Sequence, residues 1–259
     1  MMGKTLIIGD VHGHYDKLVA LLQKHQIIDA HLAWLPDDTT LVFIGDFFDR
    51  GPNGVDVIDL VIRLQHESRR CGGQVHAVLG NHDFSILSAY RFGQQVSGGP
   101  GGSFVEDWRL NGGQPSDLKR LTPRHTQWLL ELPAMIALGD TLLLHADATF
   151  YMDYGLSIEE VNTVIKRILK QGDAAAWDKM LGAFGEHQAF LNMDIAHVRQ
   201  FLNLYGKKRL IHGHTPIYSL TEVPPHMVTH ALVYAEGLCV NVDGCLYAGG
   251  NGFIYELHP

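Results

Sequence analysis

Short apolar runs in this chain end repeatedly in aspartate, histidine or asparagine, in most cases through a glycine bend. Leu6-Ile7-Ile8 runs into Gly9-Asp10-Val11-His12-Gly13, and Leu41-Val42-Phe43-Ile44 into Gly45-Asp46-Phe47-Phe48-Asp49-Arg50-Gly51. Val75-His76-Ala77-Val78-Leu79 runs into Gly80-Asn81-His82-Asp83. Further on, Leu142-Leu143-Leu144 leads to His145-Ala146-Asp147, and Leu210-Ile211 to His212-Gly213-His214-Thr215-Pro216. Each block reads as a strand, a bend, and then hard oxygen and imidazole donors. Donors placed at strand ends can converge on one edge of a sheet, which is how a binuclear hydrolytic metal site is assembled.

The strands at 4–9, 40–45 and 74–80 alternate with helical patterns at 14–26, 53–70 and 84–92. This β-α-β-α-β rhythm implies parallel strands with helices on the faces. The helix at 53–70 rests on Val57, Ile58, Val61, Ile62 and Leu64 at helical spacing, with Asn53 expected at its N-cap. Residues 97–103 (Ser-Gly-Gly-Pro-Gly-Gly-Ser) exclude a regular element and read as a flexible loop, either bordering the site or merely connecting. Ser157-Ile158-Glu159-Glu160 is a capping box opening a helix that ends at Gly172, and Asp194 opens another closed by Gly206. Segment 147–206 is therefore expected to be a helical insertion, a lid or specificity element within a single domain spanning 1–259. Apolar runs near 209–212, 227–233, 238–242 and 253–257 predict a second set of strands.

At 259 residues, 46% hydrophobic and 19% charged, the chain has the make-up of an ordinary globular protein. No apolar run approaches the ~20 residues of a membrane span, and Met1-Met2-Gly3-Lys4 passes straight into a strand, so the expectation is a cytoplasmic protein without leader or membrane partner. A net charge of −8 argues against nucleic acid as a partner. Arg69-Arg70 and Lys207-Lys208-Arg209 fall where helices end and suit the helix dipole. Cys71, Cys239 and Cys245 lack paired metal-binding spacing and read as free thiols.

In this order, the blocks resemble the phosphoprotein-phosphatase branch of the calcineurin-like metallophosphoesterases, whose pattern is GD-x-HG, GD-x-x-DRG, GNH-[ED], H and a final GH. The match is dense over 6–94 and returns at 110–114, 131–147, 210–216 and 238–250. The bacterial and phage members are most similar, sharing the HAD form at 145–147, GHTP at 213–216, and Leu110-Asn111-Gly112-Gly113. Eukaryotic members usually read HGG at the fourth motif. The fold implied is a two-sheet α/β sandwich flanked by helices. The resemblance places one metal on Asp10, His12 and Asp46, and a second on Asp46 as bridge with Asn81, His145 and His214. The residue types suit this, since carboxylate can bridge two cations and imidazole suits manganese, iron or zinc, with manganese the first choice. His212 lies two residues before His214 on the same strand face and is left as an outer neighbour of the site. Arg50 would fork hydrogen bonds to phosphate oxygens, and His82, oriented by Asp49, would protonate the leaving alkoxide.

Two departures bear on substrate. The third motif ends in Asp83, where protein phosphatases usually have glutamate; aspartate there looks like the symmetric bis(5'-nucleosyl)-tetraphosphatases. Asp49 and GHTP point the other way. The family's further phosphate-binding arginine has no match, and Lys179 in Trp177-Asp178-Lys179 is either its replacement or a surface lysine. The expectation is a metal-dependent phosphoesterase acting on a phosphorylated protein or small phosphoester. A dinucleoside polyphosphate hydrolase is the second choice, and a non-catalytic metal-binding scaffold the third.

Overall fold

The computed structural model describes residues 3–191 and 193–258. Its first half runs β1 (Lys4–Ile8), α1 (Tyr15–Lys24), β2 (Thr39–Phe43), α2 (Gly54–Arg70), β3 (Gln74–Ala77) and α3 (Asn81–Phe92). Three shorter helices follow, α4 (Phe104–Leu110), α5 (Pro115–Arg120) and α6 (Pro123–Glu131). The second half runs β4 (Met135–Leu138), β5 (Thr141–Leu144), α7 (Ile158–Gln171), α8 (Ala174–Ala183), α9 (Ile195–Leu204), β6 (Arg209–His212), α10 (Ile217–Leu220), β7 (Leu232–Tyr234), β8 (Cys239–Asn241) and β9 (Tyr255–Leu257).

The strands form two sheets, ordered β3-β2-β1-β9 and β4-β5-β6-β8-β7. In the first, β1, β2 and β3 are parallel and β9 closes the edge antiparallel. In the second, β5, β6 and β8 are parallel, with β4 and β7 as antiparallel edges. Alternation along each strand explains the layers. Ile7, Val42, Leu143, Ile211 and Val240 meet between the sheets. Leu6, Ile8, Leu41 and Phe43 point the other way, into the core shared with Val57, Ile58 and Val61 of α2. This is the two-sheet α/β architecture expected from the sequence. The loops leaving the parallel strands β1, β2, β3, β5 and β6 carry the donor motifs, and those donors meet in space.

Local details differ from the sequence reading. The Asn53 side chain makes no cap bond to α2. The amides of Gly54 and Val55 donate instead to Asp117 on α5, at 2.8 and 3.3 Å. Only half of the capping box at Ser157 forms: Ser157 accepts the amide of Glu160, while the Glu160 carboxylate takes the amide of Leu156. The strand expected over 227–233 shrinks to β7, behind a 3-10 turn at Pro225–Met227. Pro225 opens that turn with its φ held near the helical value, which takes residues 225–227 out of the extended conformation. Among the described residues no helix is long and apolar enough to cross a membrane.

Candidate metal centre

Backbone strain marks the site before any side chain is considered. His12, Asp46, Asp49, Arg50 and His214 all have left-handed backbone, with φ of 48°, 53°, 68°, 64° and 68°. Such conformations cost about 1–3 kcal/mol each away from glycine and persist only where the surroundings enforce them. The enforcement is visible. A Cβ on Gly80 would sit 2.2 Å from Asp46 Oδ1, and one on Gly213 would sit 2.1 Å from Asp10 Oδ1. Only glycine lets the backbone approach these carboxylates so closely.

Asp46 lies at the centre. His82 donates its amide to Asp46 Oδ1 at 2.9 Å. Asp83, fully buried, accepts the amides of Asp46, Phe47 and Gly80 at 2.9, 2.8 and 3.0 Å. It therefore staples the Asp46 loop to the start of α3. Burial and the neighbouring Asp46 charge push the Asp83 carboxyl up to about 7, partly offset by those amides.

On one side of Asp46, donors from both sheets close up. His145 Nε2 lies 2.8 Å from Asn81 Oδ1, 3.1 Å from His214 Nδ1 and 3.4 Å from Asp46 Oδ1. His214 Nδ1 is 2.9 Å from Asn81 Oδ1. His145 Nδ1 donates to the Ile44 carbonyl at 2.7 Å, which turns Nε2 toward the cluster. On the other side, His12 Nδ1 bonds the Phe48 carbonyl at 2.9 Å. His12 Nε2 then faces Asp46 Oδ2 at 3.5 Å and Asp10 Oδ2 at 3.9 Å, and also accepts from Arg50 Nη1 at 3.0 Å. Asp10 accepts the His214 amide on both oxygens, at 3.0 and 3.1 Å.

This donor set fits divalent cations. Buried carboxylate, amide and imidazole lone pairs face one another on both sides of a carboxylate whose two oxygens point to different groups. The electrostatics agree. Burial works against ionisation of Asp46, but the charges of His145 and His82 and the hydrogen bond from His145 hold it well below the usual carboxylate range. Burial and Asp243 push Asp10 well above it. Burial depresses His12 and His214 well below the ordinary histidine value, keeping their lone pairs free of protons. Burial also acts to lower His145, but Asp46 and Asp10 raise it to about 10, so a cation there would displace a proton.

Beside the cluster runs a chain of hydrogen bonds. His82 Nδ1 is 2.8 Å from Asp49 Oδ2, and the buried Trp108 indole donates to Asp49 Oδ1 at 2.7 Å. Burial raises the Asp49 carboxyl even though both partners oppose the shift. The Arg50 guanidinium stacks 4.1 Å over the Tyr247 ring, and its amide is held by the Gly112 carbonyl at 2.8 Å. That bond gives Leu110-Asn111-Gly112-Gly113 a part in placing Arg50.

His212 is drawn away from the cluster. Its Nδ1 bonds the Gly213 carbonyl at 2.9 Å, and Nε2 meets the Tyr234 hydroxyl, which donates to Asp147 at 2.5 Å. Lys179 is not brought to the site either: it is exposed, and its neighbour Asp178 lines the adjoining cavity. Adjacent helical residues point about 100° apart, and Trp177, buried in stacking on Phe84, fixes that phase. The loop at 97–103 does border the site, and the amides of Gly98 and Gly101 tie it to Asp178 and Asp107, at 2.9 and 2.6 Å.

Trp108, Tyr247 and Asp243 were not anticipated. The first two left no local signal. Asp243 did: Cys239-Val240-Asn241-Val242 ends in Asp243-Gly244, the same strand-to-acid pattern as the other blocks. Fully buried, Asp243 accepts the Cys245 amide at 2.9 Å on one oxygen and, among the described residues, has no partner on the other. Burial and Asp46 push its carboxyl up to about 6.

The family model for calcineurin-like phosphoesterases matches residues 3–218. The chain belongs to that family. Among curated proteins, a symmetrical bis(5'-nucleosyl)-tetraphosphatase of Salmonella paratyphi A is 42% identical over 86 residues, 33% of this chain and 26% of the relative. The chain thus matches about a quarter of the length of such relatives. Among solved structures, a cold-active protein-tyrosine phosphatase of a psychrophilic Shewanella aligns with TM-score 0.75 at 23% identity, over 100% of this chain and 76% of that one. A protein serine/threonine phosphatase from Saccharomyces cerevisiae aligns with TM-score 0.63 at 15% identity, over 100% of this chain and 73% of that one. At these identities the likeness is one of fold.

Proposed function

We propose that this phosphoesterase is a binuclear phosphomonoesterase of the serine/threonine protein phosphatase type. The observation that carries the reading is Asp46, with buried lone-pair donors gathered on each of its oxygens and the Asp49–His82 pair alongside. Asp10, His12 and Asp46 would hold one cation, and Asp46, Asn81, His145 and His214 the other. Two bound cations would supply Lewis acidity and an activated water nucleophile, with manganese the first candidate and iron or zinc the alternatives. The chain's own groups do the rest. The Arg50 guanidinium, braced on Tyr247, orients phosphate oxygens and balances charge developing on them. Asp49 fixes the His82 ring through Nδ1, leaving Nε2 to deliver a proton to the departing oxygen.

The second reading, a dinucleoside polyphosphate hydrolase, draws on the 42% identity to tetraphosphatases. Asp83 no longer argues for it directly, because that carboxylate is spent on backbone amides and does not face the open cavity beside the cluster. The test is the ratio of kcat/KM on phosphoserine or phosphothreonine peptides to that on diadenosine tetraphosphate at equal manganese loading. A preference for the peptides is expected. A tenfold preference for the dinucleotide, about 1.4 kcal/mol of transition-state binding, would reverse the ranking.

A further inference from the structure

A cavity of about 370 Å³ opens beside the donor cluster, with Asn81 and His82 in its wall. That is within the ~300–1,000 Å³ typical of ligand pockets. We infer that this cavity receives the leaving group and selects an uncharged or cationic one, such as a peptide with arginine or lysine beside its phosphorylated residue. The inference rests on the proposed role of His82 and deepens it.

Position comes first. The Nδ1 of His82 is taken by Asp49, so the proton must leave from Nε2. The ester oxygen that receives it has to approach within roughly 2.6–3.2 Å. The bulk attached to that oxygen then lies on the His82 side, where the cavity is. Ser85 and Ser88 of α3 and Leu181 of α8 give it a neutral lining.

Charge comes second. The ionisable groups in the lining besides His82 are Asp107 and Asp178, and among the described residues no lysine or arginine lines the cavity. Both carboxylates are fixed by the glycine loop. Asp178 accepts the Gly98 amide at 2.9 Å, while Asp107 accepts the Gly101 amide at 2.6 Å and the Ser97 hydroxyl. Away from the metal cluster, a leaving group carrying further phosphates would meet two held negative charges and, among the described lining residues, no lysine or arginine. An ammonium or guanidinium would meet complementary charge, so the cavity discriminates by repulsion as well as attraction.

The experiment compares kcat/KM for one phosphothreonine peptide flanked by arginine, alanine or glutamate, on manganese-loaded wild type and on Asp178→Asn. Asparagine keeps an acceptor for the Gly98 amide and removes the charge. In wild type the arginine-flanked peptide is expected to exceed the glutamate-flanked one by about tenfold, the scale of one well-placed charge pair. In Asp178→Asn that ratio should fall to about threefold or less. Equal rates on the three wild-type substrates, or a ratio that Asp178→Asn leaves intact, would overturn the inference while leaving the proposed function standing. If wild type cleaves none of the peptides and not even an activated aryl phosphate, the proposed function itself fails, and the inference with it.

Discussion

The two sides of Asp46 are built differently. On the Asn81, His145 and His214 side, parts of both sheets meet and the donor atoms approach within 2.8–3.4 Å. On the Asp10 and His12 side the carboxylates stand 3.5 and 3.9 Å from His12 Nε2, whose lone pair is engaged by Arg50 at 3.0 Å. One lone pair can serve the guanidinium or a cation, but not both. Under the proposed function the fold alone gathers the ligands of the first side, where a cation would replace the His145 proton. On the second side a cation would have to displace the arginine that the proposed mechanism turns toward phosphate.

Asp46→Asn strikes both sides at once and should have the largest effect. A neutral amide bridges cations poorly, so metal content should fall well below the roughly two ions per chain of a binuclear site, and turnover should drop by at least ~10³-fold. Elemental analysis beside a rate assay reads both, and full turnover with two ions retained would break the shared-ligand account. His82→Ala comes next. It should slow poor leaving groups by ~10²–10⁴-fold while leaving activated aryl phosphates much less affected. Asp49→Asn should repeat that pattern more weakly. Losses of equal size on both substrate kinds would shift His82 from proton delivery to phosphate binding.

Trp108→Phe keeps an aromatic ring, though a smaller one, and leaves Asp49 Oδ1 without its donor. The expected stability loss is about 1–3 kcal/mol in denaturant unfolding. A plot of rate against leaving-group pKa should steepen if Trp108 positions the Asp49–His82 pair, whereas a purely structural role would leave its slope unchanged. Arg50→Ala is aimed at the comparison itself, and its effect on metal binding is the smallest expected here. It should lower kcat/KM for phosphoester yet tighten manganese binding at the His12 side by up to about tenfold, the worth of one hydrogen bond to a charged group. Calorimetric titration that found weaker manganese binding there would contradict the competition between Arg50 and a cation.

Much of this arrangement was legible in the sequence because each donor follows its own strand within a few residues. The local pattern at 6–13, 41–51 and 75–83 names strand, bend and donor together. The partners that brace those donors were not legible. Trp108 reaches Asp49 across 59 residues of chain, and Asp117 caps α2 across 63. Helices α4, α5 and α6 span only 7, 6 and 9 residues, too few turns for an apolar period to declare itself. Lys179 was placed by motif likeness alone, and the phase of α8, set by Trp177 packing on Phe84, turned Asp178 to the cavity instead.

Anomalous X-ray scattering from crystals of the manganese-loaded protein tests the central claim most directly. The account predicts two peaks roughly 3.5–4 Å apart, both within coordination distance of Asp46. One should sit between Asp10 and His12 and the other among Asn81, His145 and His214. A single peak, or two peaks that do not share Asp46, would contradict it.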